Sequence, residues 1–215
     1  MSDVIIFGGH GKVALHLARI LSGRGYRVTS VFRNSDHTDD VAATGARPVV
    51  GDIENLGVSE LSSLISGNAA VVFAAGAGGG NPARTYAVDR DAAIRVIEAT
   101  AQAGTRRFVM VSYFGAGPDH GVPEGDPFHA YAEAKAAADA RLRASTLDWT
   151  ILGPGRLTLD PGTGLIDVGD AAAQGEVSRE DVAHVAAAVL EDRETIGRTI
   201  EFNNGTTPIA QALKS

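Results

Sequence analysis

The apolar run Val4-Ile5-Ile6-Phe7 passes without a break into Gly8-Gly9-His10-Gly11, and then into a segment whose apolar residues Val13, Leu17, Ile20 and Leu21 recur at helical spacing. This order of strand, glycine turn and amphipathic helix is a strong constraint on the fold. Gly8 allows a tight turn, Gly11 lets a ligand approach the main chain, and Ala14 lets the helix lie close on the strand. The free N–H groups and the dipole of a helix starting there attract anions, so the turn is expected to hold a dinucleotide by its diphosphate. Gly23 and Gly25 end the helix by supplying a left-handed turn.

The same alternation continues along the chain. Arg27–Phe32, Pro48–Val50, Ala70–Ala74, Arg107–Val111 and Trp149–Leu152 read as strands, most of them without polar alternation and so buried on both faces. Leu165–Val168 and Thr199–Phe202 are weaker candidates. Helices are expected over Ala83–Ala103, with Val88, Ala92, Val96 and Ala99 on one stripe, and over Pro127–Ser145, opened by Asp126 as N-cap. Another is expected from Ser178 through Leu190, its early acids Glu180 and Asp181 suiting the positive end of the dipole. The pattern predicts an α/β fold, a Rossmann doubly wound, mostly parallel sheet flanked by helices. At 215 residues it predicts a single domain, 1–215, with a substrate-side segment over about 153–215.

Composition narrows the chemistry. The absence of cysteine excludes disulfides, thiolate metal sites and a cysteine nucleophile. A net charge of −7 with no basic run disfavours nucleic acid as a partner. Every apolar run is broken well short of a membrane span, and no signal-peptide pattern opens the chain, so the expectation is a cytoplasmic protein with a small-molecule substrate. Pairing of copies through exposed helices, as a homodimer, is also expected. His16, His37, His120 and His184 show no metal-ligand spacing and no metal site is expected, while His10 sits where phosphate would lie and His129 is placed as a substrate contact.

The end of the second strand decides between the two pyridine dinucleotides. An acid there would accept from a ribose 2′-OH; here the residue is Arg33, whose planar fork suits a 2′-phosphate. NADP(H) is therefore expected over NAD(H), with Lys12 offering a second positive charge and Asp36 arguing the other way. After the third strand, Asp52 can accept from an adenine amino group or cap its own turn.

Phe7 to Ala14, Arg33, Gly51-Asp52, Ala74 to Ala77, Val88-Asp89, Arg107 to Ser112, Tyr131 with Lys135, and Gly153 to Thr158 together make the chain resemble the short-chain dehydrogenase/reductase superfamily. Within it, the chain is similar to the small atypical NAD(P)H-binding subgroup of nitrogen-regulator-like and flavin-reductase-like proteins. The resemblance implies a sheet of about seven strands with the nicotinamide near the ends of the fourth to sixth. It places the cofactor on Gly8, Gly9, His10, Gly11, Lys12, Val13, Arg33, Asp52, Ile53, Ala74, Ala75, Gly76, Pro154 and Gly155. One position departs from the pattern: such relatives carry arginine directly before the Pro-Gly, where this chain has Gly153, leaving Arg156 as the substitute.

Ser112 closes the fifth strand, and Tyr131 and Lys135 lie four apart on one helix face. Reducing a carbonyl needs a proton at oxygen, and a phenol with its usual pKa near ~10 is a slow donor or base unless a cation stabilises its anion. Lys135 is expected to lower the Tyr131 phenol and hold the ribose, with Ser112 orienting the substrate oxygen; the superfamily resemblance implies the same roles. The leading expectation is an NADPH-dependent oxidoreductase reducing a small carbonyl-type or related unsaturated substrate. The alternatives are a non-catalytic NADP(H)-sensing regulator and a flavin or quinone reductase using direct hydride transfer. Specificity is expected from residues 114–128 and 156–176, both loop-rich.

Overall fold

The computed structural model describes residues 2–78, 80–172 and 175–214. In chain order the elements are β1 (Asp3–Phe7), α1 (Lys12–Gly23), β2 (Arg27–Phe32), α2 (Thr38–Ala42), β3 (Arg47–Val50), α3 (Val58–Ile65) and β4 (Ala70–Phe73). There follow α4 (Pro82–Thr85), a wide-turned π segment (Tyr86–Ala92), α5 (Ala93–Gln102), β5 (Arg107–Val111), α6 (His129–Arg143) and β6 (Asp148–Pro154). The chain closes with β7 (Arg156–Thr158), β8 (Leu165–Val168), β9 (Glu176–Ser178), α7 (Arg179–Glu191), β10 (Arg198–Asn204), β11 (Thr207–Pro208) and α8 (Ile209–Ala212).

The main sheet runs β11-β8-β10-β6-β5-β4-β1-β2-β3. Strands β1 to β6 and β10 are parallel, while β8 joins antiparallel to β10 and carries β11 on its outer edge. The chain reverses its winding direction between β1 and β4, which opens a crevice at the strand carboxyl ends there. Strand β1 explains why its sequence lacks alternation. Val4 and Ile6 join the core under α1 and α7, whereas Ile5 and Phe7 join the core under α3 and α5. Both faces of the sheet are covered, as parallel sheets require. Among the described residues no helix is long and apolar enough to cross a membrane.

Three features differ from the sequence reading. Helix α6 begins at His129, because the Asp126 carboxylate accepts from the Phe128 amide (2.8 Å) and its carbonyl from the His129 amide (2.9 Å), closing a separate turn around Pro127. Strand β3 is an edge strand with Val50 half exposed, rather than buried on both faces. The stretch after β6 also makes a second, two-stranded parallel sheet, β7 with β9. Ser178 does cap α7, accepting from the Asp181 amide at 2.9 Å.

Candidate functional site

The glycine turn is held by the sheet. The amides of Gly8 and Gly9 both donate to the Val31 carbonyl, at 3.0 and 2.8 Å, and the Gly11 amide donates to the Gly8 carbonyl at 2.7 Å. Gly8 has φ of +84°, and a Cβ there would lie 2.5 Å from the Ala75 main chain. The turn can therefore be built only with glycine, and it brings the start of α1 against the end of β4. No side chain caps α1 and its first turn holds no acid, so its leading amides face the crevice available to an anion. A dinucleotide diphosphate fits this cradle: main-chain donors, a helix dipole and no side chain in the way.

Beside the turn is a cavity of about 320 Å³ lined by Gly8, His10, Gly11, Arg33, Asp52, Ile53 and Ala74 to Ala77. Most of the sequence-assigned residues thus converge, but Gly9 packs against Ser30, Lys12 and Val13 stand on the first turn of α1 outside the cavity wall, and Pro154 and Gly155 line a different cavity. Asp52 is used by its own turn, accepting from the Glu54 amide (3.1 Å) and the Asn55 side chain (2.8 Å). Ile53 lies on the cavity wall beside it. Arg33 donates to Glu54 at 3.0 Å, and Arg84 from α4 donates to the same carboxylate oxygen at 3.1 and 3.2 Å. Two guanidinium groups therefore meet on one carboxylate at the rim, an arrangement in which Arg84 had no sequence signal beyond its place in the first turn of a helix.

The histidines behave differently from the sequence reading. His10 and His37 stack in parallel with ring centroids 3.6 Å apart, and His10 Nε2 lies 3.1 Å from Asp40. The ligand-type atoms of these three residues fall within 4.8 Å of one another, although the sequence separates them by about thirty positions. His129 turns away from the crevice to the Val122 carbonyl (2.9 Å), and His120 pairs with Glu133 (2.8 Å), so both tie the 114–128 segment to α6.

A second cavity of about 550 Å³ lies at the ends of β5 and β6, lined by Ser112, Tyr113, Phe114, Phe128, Tyr131, Pro154 to Leu157 and Gly175. Both segments expected to set specificity reach it; residues 173 and 174 of the second, like Gly79 of the glycine loop after β4, lie outside the described residues. Three rings form its aromatic wall, with Tyr113–Phe128, Phe128–Tyr131 and Tyr113–Tyr131 centroids 5.1, 5.2 and 5.6 Å apart. Arg156 stands at the rim, ion-paired to Glu176. At Gly153 the space where an arginine side chain would begin is filled by Glu201, whose Cγ would be 3.0 Å from a Cβ there and whose carboxylate accepts from the Gly115 amide (2.7 Å).

Beneath this cavity lies a buried ionic cluster. Tyr131, Lys135 and Asp139 occupy successive turns of one face of α6, and Asp89 faces them from the π segment. Lys135 is fully buried and donates to the Val111 carbonyl at 2.7 Å and to Met110 Sδ at 3.5 Å. Burial pushes its pKa down, against the pull of Asp139 and Asp89. The Tyr131 phenol is pushed up by burial, then by Asp89, Asp139 and Tyr113. The expectation that Lys135 lowers this phenol finds no support here: its Nζ donates to the Val111 carbonyl of β5, and the neighbours that act on the phenol are the acids Asp89 and Asp139. Asp89 accepts from the Ala77 amide (3.0 Å), fixing the loop at the cofactor cavity, and burial raises its pKa. Asp139 accepts a short hydrogen bond of 2.6 Å from Ser112 and is likewise raised by burial. The i, i+4, i+8 spacing of Tyr131, Lys135 and Asp139 on a face otherwise built from alanine was the available signal for Asp139.

The model of the NAD(P)H-binding family matches residues 8–193, most of the chain. The chain belongs to the NAD(P)H-binding family. It is 36% identical over 221 residues to the UPF0659 protein YMR090W of Saccharomyces cerevisiae, covering 99% of this chain and 97% of that one. It is 34% identical over 213 residues, 98% of each chain, to YhfK of Bacillus subtilis, which is named an uncharacterized sugar epimerase. Among solved structures, a Bacillus halodurans protein whose name places it among the NAD-dependent epimerase/dehydratases superposes with a TM-score of 0.91 at 33% identity, covering 100% of this chain and 99% of that one. Family membership accounts for the first cavity and its glycine turn. The second cavity is where members can differ in chemistry, and there the residues must be read for themselves.

Proposed function

We propose that this protein is an NADPH-dependent reductase of a planar, conjugated carbonyl-type substrate, with Ser112 and Tyr131 as the groups that bind the substrate oxygen. The observation that carries this reading is the placement of two hydroxyl-bearing side chains on the wall of one aromatic-lined cavity, at the end of the strand next to the cofactor crevice. Bound in the crevice, the reduced dinucleotide supplies a hydride. The chain's part is to hold the substrate flat against Tyr113, Phe128 and Tyr131, and to present hydrogen-bond donors to its oxygen. Tyr131 keeps its proton at neutral pH, because burial and neighbouring acids disfavour the phenolate. The neutral phenol can hydrogen-bond the substrate oxygen, but its raised pKa makes it a weaker acid than a free phenol. It does not suit base catalysis, so the sugar epimerase name of the Bacillus subtilis relative receives less support here. The preference for NADP(H) is supported by Arg33 and Arg84 at the rim of the first cavity.

The engagement of the buried Lys135 by the Val111 carbonyl favours one second reading, a quinone or flavin reductase working by direct hydride transfer without help from Tyr131. NADPH oxidation with 9,10-phenanthrenequinone and menadione as acceptors, for wild type and Tyr131→Phe, separates them. Reduction assisted by the phenol predicts a fall in kcat of about 10²-fold or more in the variant. An unchanged kcat assigns direct transfer instead, and tight NADPH binding without any turnover would point to a sensor.

A further inference from the structure

We propose that Asp139 is the proton reservoir of the second cavity and acts through Ser112: in its acid form it donates to Ser112 Oγ, which frees the serine hydrogen for the substrate oxygen. This rests on the reductase reading above. Ser112 forms part of the cavity wall on one side, while its Oγ lies 2.6 Å from Asp139 Oδ2 on the other. Asp139 is wholly buried in the middle of α6, and its second oxygen is buried with no partner among the described residues. Among the described residues Ser112 is the hydrogen-bond partner that connects this acid to the cavity wall, so the serine hydroxyl is the link.

The direction of that link is fixed by counting hydrogens. A serine carries one, and when it is given to an Asp139 carboxylate only lone pairs remain to face a substrate carbonyl, which repels them. With a proton on Asp139 the bond reverses and Ser112 becomes a donor to the cavity. Burial favours the acid form, while Lys135, Ser112 and Arg143 favour the carboxylate. The other groups facing it are Asp89 of the π segment, and Tyr131 and Tyr113, whose phenols are pushed up by Asp139 only while it is ionised. In the step itself the Ser112 O–H bond breaks as the substrate O–H bond forms, and the Asp139 O–H bond breaks as the serine O–H is restored. The product leaves with that proton on oxygen and, on carbon, the hydride that a bound reduced nicotinamide dinucleotide would supply. Asp139 is left as a carboxylate one helical turn from the Lys135 ammonium, and is reprotonated through Ser112 once water returns to the cavity. Asp139 is thus a positioning residue and Ser112 is the group that touches substrate.

Two readouts on the full chain test this. In protein carrying ¹³C-labelled aspartate carboxyls, the resonance absent from Asp139→Asn is expected to titrate well above the ordinary carboxylate range and to shift in Ser112→Ala. An Asp139 signal already ionised in weak acid overturns the proposal and leaves the reductase reading standing. With NADPH and 9,10-phenanthrenequinone, Asp139→Asn is expected to lose about 10²-fold in kcat while KM and NADPH affinity stay within about twofold. The asparagine still donates to Ser112 but has no proton to release, so the fall of kcat toward high pH is expected to disappear. Ser112→Ala and the double variant should match it. A variant that keeps the wild-type kcat and its alkaline fall refutes the proposal. A wild type inert toward every carbonyl acceptor, with the titration as expected, removes the reductase reading and with it the use of this proton.

Discussion

Replacing Gly8 by alanine attacks the cofactor cradle at its narrowest point. The residue sits at φ +84°, and the added Cβ would be 2.5 Å from both the Cα and N of Ala75, which are main-chain atoms that no rotamer change can move. The left-handed conformation costs an alanine about 1–2 kcal/mol. Overpacking against fixed neighbours adds roughly 1–3 kcal/mol. A total near ~3 kcal/mol corresponds, at about 2–4 °C per kcal/mol for a chain of this size, to a melting temperature lowered by roughly 6–12 °C. The strain is relieved only by parting β4 from the turn, so the first cavity opens and NADPH affinity falls with it, by more than about tenfold. Gly23→Ala is the control. It lies in the last turn of the same helix without the left-handed backbone expected of it, which only Gly25 adopts there, and with nothing within 4 Å of the new Cβ it is expected to stabilise by up to about 1 kcal/mol. Differential scanning calorimetry with fluorescence titration of NADPH reads both. A Gly8→Ala protein that melts within about 1 °C of wild type and binds NADPH equally well would refute the reasoning.

Two further outcomes follow from the same structure. Arg84→Ala should weaken NADPH by about 1 kcal/mol, roughly fivefold, because the guanidinium is partly exposed, and should leave NADH unchanged, while Glu54→Gln should strengthen NADPH by releasing both arginines. Paired titrations check this, and equal losses for the two dinucleotides would contradict the assignment of Arg33 and Arg84 to a 2′-phosphate. Asp181→Ala should destabilise the fold by about 3–5 kcal/mol in urea denaturation, since that wholly buried carboxylate accepts from the amides of Thr163 and Gly164 and from the Ser178 hydroxyl; a loss below about 1 kcal/mol would show that water replaces it.

What could be read from the sequence was local. The β1 turn and α1 were legible because strand, glycines and helix follow one another within about twenty residues, and each glycine carries its own steric reason. Arg33 was legible as the last residue of a run whose end the topology fixes. Helix α3 was not read, although Val58, Leu61 and Ile65 have helical spacing and the Glu60 carboxylate accepts from the Gly57 amide. The start of α6 was misplaced because Asp126 can cap a helix or close a turn, and only the surrounding chain decides. The site's second half depended on tertiary contacts: Lys135 has the spacing of a phenol activator, yet its ammonium is taken by the Val111 carbonyl. Likewise the partners Ser112 and Asp139 are 27 residues apart, and Arg84 reaches Glu54 across 30. The antiparallel β8 carries no period that separates it from a parallel strand, so its direction was fixed by pairing with β10 alone.

The central claim is that the uncapped first turn of α1 receives the diphosphate of a pyridine dinucleotide. Amide chemical shifts of ¹⁵N-labelled protein titrated with NADPH test it directly. The account predicts that the largest shifts fall on Lys12 and Val13, where the free N–H groups gain charged acceptors. Binding that leaves those amides unmoved while shifting others, or no binding at all, would contradict it.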